Sequence, residues 1–256
     1  MVGFCVIRSW KKSCGMFINI GYCRESWKNG MKRPFLWDTD KVPHLLIAGS
    51  TGGGKTVLAQ LIVKQLLEAQ KDITICDFKA GGDWDGIVDS YAEYIDCDEV
   101  LNSFYASFEN AIKNKRKEEK YLIFDEFSSF AMNKDSREFK NLMTKIGHIA
   151  FMGRSFGYKL IFISQQFSSK TIDTAIREQF GIRIFMGSTI SSESAGMLFP
   201  NCEINKSVHL PKCCGYISMP EKELATLQIP FLSEPEKLKK LLIQKGNGQR
   251  QALGKP

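Results

Sequence analysis

The sequence predicts an α/β protein with a mostly parallel sheet covered by helices on both faces, and three observations carry that expectation. Apolar runs of strand length alternate along the chain with stretches whose apolar residues recur at helical spacing. The strand-like runs are continuously apolar, as in strands buried on both faces. Their C-terminal ends carry, in order, a glycine-rich loop, Asp77, the pair Asp125-Glu126, and Gln165. In open α/β sheets, ligands bind outside those strand ends.

The glycine-rich loop is the most specific of these features. His44-Leu45-Leu46-Ile47-Ala48 reads as a short buried strand running into Gly49-Ser50-Thr51-Gly52-Gly53-Gly54-Lys55-Thr56, which fills the pattern G-x-x-x-x-G-K-[ST]. The stretch from Val57 to Gln70 follows with apolar residues at 58, 61, 62, 66 and 67, one face of a helix. The loop's backbone N–H groups and the helix N-terminus suit phosphate oxygens. Lys55 is expected to reach the β- and γ-phosphates, and the Thr56 hydroxyl to bind Mg²⁺. The plainer alternative is a glycine-rich turn before an ordinary helix; the strand before and the helix after argue against it. The chain is expected to bind a nucleoside triphosphate, taken as ATP.

Composition sets the frame. With 256 residues, 43% hydrophobic and 25% charged, the chain matches an ordinary globular protein of one large domain with small appendages. No apolar run approaches the roughly 20 residues that cross a bilayer, and the N-terminal residues do not form a signal sequence. A cytoplasmic location is the expectation. Eight cysteines show no C-x-x-C pair and no zinc spacing with histidine, so reduced thiols are expected. The net charge of +7 is concentrated at the ends. Residues 1–33 hold Arg8, Lys11, Lys12, Arg24, Lys28, Lys32 and Arg33 against Glu25. The tail from Glu236 holds Lys237, Lys239, Lys240, Lys245, Arg250 and Lys255. Basic ends suit nucleic-acid phosphates or an anionic membrane face, and equally serve as solubilising ends.

Taken in order, Met16 to Tyr22 is strand-like, Lys28 to Pro34 a polar loop, and Pro43 the entry to the loop-bearing strand. Asp72 to Asp77 is a second strand and Tyr91 to Ile95 a short one. Val100 to Lys120 is expected to be a long helix whose charged end, Lys113 to Lys120, is solvated. Tyr121 to Asp125 is a strand, Phe139 to Phe156 a helix, and Lys159 to Ser164 a strand. Ile172–Phe180 and Glu193–Phe199 are expected to be helices flanking a strand at Ile182–Met186. Cys214–Ser218 is a late strand, Glu234–Gln244 a terminal amphipathic helix, and the stretch from Gly246 a disordered tail. The expected division is a basic segment with a short β element at 1–43, an ATPase domain at 44–232, and a C-terminal helix with a basic disordered tail at 233–256.

The strand-end residues suggest hydrolysis. Asp125 fits the acid that holds Mg²⁺ opposite Thr56, and Glu126 is placed to orient and deprotonate an attacking water. Alone, the pair could be two exposed acids opening a loop; with the phosphate loop earlier in the chain, their joint roles form a coherent site. Gln165 could sense the γ-phosphate or hold the water, or simply cap its strand. Arg154, Arg177 and Arg183 are candidates for a charge-neutralising arginine supplied in trans, with surface solubility or a salt bridge as the alternative for each.

Five blocks together resemble the motor domain of the FtsK/SpoIIIE branch of the FtsK–HerA ATPases, a phosphate-loop NTPase family with a RecA-like sheet. They are PHLLIAGSTGGGKT, ITICDFK, LIFDEF, GRSFGYKLIFISQQ and REQFGIRIFMGSTISSES, and the resemblance runs from about Gly21 to Met219. It implies a ring-forming, usually hexameric, DNA-stimulated ATPase that threads duplex DNA. It places phosphate and Mg²⁺ on Lys55 and Thr56, the metal-supporting acid at Asp125, the water activator at Glu126 and the sensor at Gln165. Arg154 and Arg183 fall in blocks near the family's subunit boundaries. The chain departs from the family in Asp77-Phe78-Lys79, where Asp-Pro-Lys is usual, and in Ser164-Gln165-Gln166-Phe167, where Thr-Gln-Arg-Pro is common. The resemblance is closest to small members on plasmids, conjugative elements and phages, which implies DNA transfer or mobilisation and a relaxase or secretion-machinery partner. A nucleotide-dependent docking module that recruits a DNA-processing complex without translocation is the alternative, motivated by the altered sensor segment. A phosphotransferase of the same fold class is a weaker one, disfavoured by the Asp125-Glu126 pair.

Overall fold

The continuous apolar runs become strands because successive side chains point to opposite faces and both faces are covered. In β3 (Leu45–Gly49), Leu45 and Ile47 enter one core while Leu46 and Ala48 enter the other. The same alternation holds in β6 (Lys120–Asp125), where Tyr121 and Ile123 oppose Leu122 and Phe124. The computed structural model describes residues 16–205 and 207–252, the side chains of 235 and 249–252 excepted. The expectations for Arg8, Lys11, Lys12, Lys255 and the first two cysteines lie outside these residues.

Ten strands form one sheet in the order β2-β1-β10-β9-β8-β3-β7-β6-β4-β5. The half around β3 is parallel: β4 (Asp72–Asp77), β5 (Ser90–Glu93), β6, β7 (Tyr158–Ser164) and β8 (Ile182–Met186). The other half is an antiparallel extension through β9 (Cys214–Ser218), β10 (Ala225–Gln228), β1 (Phe17–Cys23) and β2 (Pro34–Asp38). The predicted α/β architecture with a mostly parallel sheet is therefore present, continued by strands from both ends of the chain. The short α1 (Arg24–Lys28) links β1 and β2.

Helices cover both faces. On one, α2 (Lys55–Glu68) and α8 (Pro235–Ala252) pack together over Leu58, Ile62, Leu66, Leu238 and Leu242. On the other lie α3 (Cys97–Lys113), α4 (Phe127–Met132), α5 (Ser136–Phe156), α6 (Thr174–Glu178) and α7 (Ser192–Leu198). Helix α5 starts at a reciprocal cap in which Asp135 accepts from the N–H of Glu138 and Glu138 accepts from that of Asp135. It ends at Gly157, with φ +84°, where a Cβ would sit 2.3 Å from the Glu118 carbonyl oxygen. Among the described residues no helix is long and apolar enough to cross a membrane.

Two expectations are corrected. The run Lys113 to Lys120 is not a helix end: α3 stops at Lys113, Lys115 turns left-handed at φ +52°, and Lys120 opens β6. Its acids are drawn to cations at the starts of β6, β7 and β4, Glu118 to Lys120 and Glu119 to the buried Lys159 and to Lys71. Nor is the stretch from Gly246 disordered from its start, because α8 runs to Ala252. Packing sustains it: a Cβ at Gly246 would lie 2.0 Å from the Ile87 carbonyl oxygen, so only glycine permits this approach.

His44, at the entry to β3, is fully buried, and both of its ring nitrogens face backbone groups. Its Nε2 lies 3.1 Å from the Ala150 carbonyl oxygen, and its Nδ1 accepts from the Leu160 N–H. Burial pushes its pKa down from 6.5 to about 3, against the pull of the Ala150 carbonyl. The unfolded chain therefore takes up this proton first. The stability held here is complete above pH 6.5 and is lost as pH falls toward 3. A decline of up to about 1.4 kcal/mol per pH unit is expected below pH 6.5. Urea midpoints of wild type and His44→Gln measured from pH 7 to 5 check it; a slope unchanged in the variant refutes it.

Candidate nucleotide site

The phosphate loop is shaped by contacts only glycine tolerates. Gly49 has φ +146°, and a Cβ there would lie 1.9 Å from the Met186 carbonyl oxygen; at Gly53 the distance would be 2.5 Å. The loop thus rests directly on the end of β8. Gly54, with φ +101°, opens α2 in a left-handed conformation. The Gly49 N–H donates to the Gln165 carbonyl, which joins the loop to the end of β7. Lys55 folds back, its Nζ donating to the carbonyls of Gly49 (2.7 Å) and Ser50 (3.1 Å). Burial lowers its pKa, while the charges of Glu126 and then Asp125 raise it. Thr56 stands half-buried in the first turn of α2, and Ser50, Thr51 and Gly52 lie exposed.

The acids arrive from strands beyond β7, which separates β3 from β6. Asp125 is buried, and its Oδ2 accepts from the Trp84 indole N–H at 2.8 Å. Burial raises its pKa, the Trp84 bond opposes this, and Glu126 and Asp83 add to the rise. Asp77 on β4 is its register partner. Burial foremost, and then the Asp125 charge, push Asp77 up to about 6. Asp77 Oδ1 is buried without a hydrogen-bond partner, a costly state for an acid.

These features fit a cation carried in with phosphates. Two adjacent buried acids with an orphaned oxygen lie beyond the loop's Lys55 and Thr56. Among the described residues, no group of three or more His, Cys, Asp or Glu could hold a metal by itself. Mg²⁺ is usually bound by one or two carboxylates together with substrate phosphates, and Asp125 with the Thr56 hydroxyl is a donor set of that kind.

Glu126 occupies φ +60°, ψ 44° at the N-terminus of α4. A non-glycine residue held left-handed costs energy and is found where surrounding contacts over-determine it. Those contacts are present here: the Ser128 N–H donates to Ser164 Oγ (2.8 Å), and Ser128 Oγ donates to the Gln166 carbonyl (2.6 Å). The turn holding Glu126 is thus tied to the end of β7, where the Gln165 side chain is exposed. Glu126 Oε1 accepts from Ser129 Oγ.

The candidate arginines are not brought to the loop within this chain. Arg154 lies in the last turn of α5 and donates to the Asp40 carbonyl, ahead of β3. Arg183 donates through Nε, Nη1 and Nη2 to the carbonyls of Phe180, Leu198 and Arg177, at the ends of α6 and α7. Arg177 contacts the Met197 sulfur. Trp84 was not identified from the sequence. Its signal was a tryptophan just after Gly81-Gly82 in a polar loop, a place where a large apolar side chain needs somewhere to be buried.

No family model matches the chain. The Ftsk domain-containing protein YdcQ of Bacillus subtilis is 28% identical over 197 residues, 65% of this chain and 38% of that protein. Among solved structures, EssC (ATPases 2 and 3) from Geobacillus thermodenitrificans superposes with TM-score 0.66 at 19% identity, over 86% of this chain and 42% of that one. The pCW3 conjugation coupling protein TcpA, in its monomer form with ATPγS, gives 0.65 at 17%, over 91% of this chain and 71% of that one. The cytoplasmic domain of the type VII secretion ATPase EccC of Thermomonospora curvata gives 0.65 at 18%, over 93% of this chain and 32% of that one. The chain thus spans about two fifths of YdcQ and EssC. The resemblance to FtsK-type phosphate-loop ATPases carried by the sequence blocks is met in sequence by YdcQ and in fold by these ATPases.

Proposed function

We propose that this chain is an ATP-hydrolysing motor or coupling ATPase that acts on double-stranded DNA, in the transfer or mobilisation of a genetic element. The observation that carries the hydrolytic part is the convergence of Lys55, Asp125 and Glu126, with Glu126 held in a left-handed turn that β7 braces. Bound Mg²⁺ would neutralise phosphate charge and orient the γ-phosphoryl group. Thr56 and Asp125 would hold the ion, and the loop N–H groups would bind the phosphates. Lys55 exchanges the Gly49 and Ser50 carbonyls for phosphate oxygens. With Oε1 engaged by Ser129, Glu126 takes the proton of the attacking water on Oε2, and Gln165 holds that water from the end of β7.

Support for DNA comes from the similarity to an FtsK-domain protein and to a conjugation coupling protein, and from the exposed Lys28, Lys32 and Arg33 beside α1. Lys32 lies over the Trp27 ring, which contacts Tyr22, a basic and aromatic surface suited to a nucleic-acid backbone. The likeness implies assembly into a ring, hexameric in this reading, in which Arg154 or Arg183 of one copy serves the site of the next. A relaxase or secretion-machinery component is the proposed partner.

The test is ATP turnover with and without duplex DNA at low salt. Stimulation of several-fold is expected, and reversing Lys28, Lys32 and Arg33 to Glu should reduce the salt dependence of DNA binding by a slope of about 3. Turnover indifferent to DNA, with no DNA bound, refutes the motor and leaves the docking module.

A further inference from the structure

The segment between β4 and β5 folds into the interior instead of crossing the sheet edge as an open loop. Trp84 and Ile87 are fully buried in it. Helix α2 holds it through Gln60 Nε2, which donates to the Asp83 carbonyl at 3.0 Å. Helix α8 holds it from the other side: Lys239 donates to the Gly82 carbonyl and lies 3.8 Å from Asp85, and Gly246 abuts the Ile87 carbonyl. This packing brings the Trp84 Nε1–H onto Asp125 Oδ2, while the Gly81 N–H of the same segment donates to Asp77 Oδ2.

We infer that Trp84 is a positioning residue that fixes the Asp125 carboxylate for the cation, and that α8 acts on the site by clamping the Trp84 segment. This rests on the reading of Asp125 as the Mg²⁺ acid. A carboxylate on a single Cβ–Cγ bond rotates broadly. With Oδ2 engaged by the indole, its rotation is fixed and Oδ1 is left for the ion. Groups that orient a metal ligand in this way typically change metal affinity by about 10- to 100-fold when removed. The indole N–H is suited to the role because it donates and cannot accept, and so does not compete for the metal. The coupling also gives α8 a route to the nucleotide site.

The experiment measures binding of a non-hydrolysable ATP analogue at increasing Mg²⁺, and in EDTA, for wild type, Trp84→Phe, Gly246→Ala and Trp37→Phe. Trp37 is a buried indole whose N–H serves the Val42 carbonyl, so its variant reports packing loss away from the site. The expected result for Trp84→Phe is an Mg²⁺ half-saturation raised about 10- to 100-fold, unchanged affinity in EDTA, and recovery at high Mg²⁺. Gly246→Ala should shift the curve the same way, and Trp37→Phe should leave it in place. A folded Trp84→Phe with the wild-type Mg²⁺ curve overturns the inference. Should Trp84→Phe not fold, Gly246→Ala decides: a shifted curve supports the clamp and a wild-type curve overturns it. A wild type whose binding ignores Mg²⁺ removes the Asp125 reading itself, and the inference with it, which is distinguishable from a variant that merely matches a responsive wild type.

Discussion

Replacing Glu126 by Gln is expected to lower ATP turnover by about 10²- to 10⁴-fold while leaving nucleotide affinity within about threefold, the pattern of a group that acts only in the transition state. Gln is nearly isosteric, so the left-handed turn and the Ser128–Ser164 bond that braces it should survive. What disappears is the ability of Oε2 to accept a proton. Phosphate-release kinetics paired with titration of a fluorescent nucleotide measure the two quantities separately. Retained turnover would assign the proton to another group. A parallel collapse of affinity would mean that Glu126 serves binding instead.

Gly49→Ala should be the most damaging single-methyl change in the site. The new Cβ would lie 1.9 Å from the Met186 carbonyl oxygen and 2.7 Å from its carbon, at a φ of +146°. Backbone on both sides leaves nothing to rotate away, so either the loop leaves β8 or the β3–β8 pair parts. A loss of about 3 kcal/mol or more is expected from overlap and backbone strain together, with nucleotide binding abolished. Gly52→Ala is the informative contrast. It also has positive φ, +75°, but its Cβ would meet nothing within 4 Å, so a cost of about 1 kcal/mol is expected. Urea unfolding of both variants checks the difference; equal losses would show that conformation, not contact with β8, explains the loop's glycines.

Much of the parallel half of the sheet was legible because burial on both faces leaves a one-dimensional trace. A strand such as Leu122-Ile123-Phe124 is apolar at every position, ends in a polar residue, and needs no partner to be recognised. The antiparallel extension was harder to see. Pro34–Asp38 and Ala225–Gln228 are short and only partly buried, and what makes them strands is pairing with β1 and β9. The charged run after Lys113 misled for a related reason: its composition suits a helix end, whereas its geometry follows cations on β6, β7 and the turn before β4.

The site divides along the same line. The sequence by itself determined the phosphate loop, the acid pair and the order in which strand ends deliver them, because each lies in contiguous residues whose local backbone makes the chemistry. Only the tertiary structure decided what surrounds them. It brought Asp77 beside Asp125 through strand register, seated Gly49 on Met186, and turned Arg183 toward three carbonyls. It also carried Trp84 to Asp125 across 41 positions. Such contacts depend on packing between elements far apart in the chain, and no local pattern of residues encodes which buried donor will meet which buried acid.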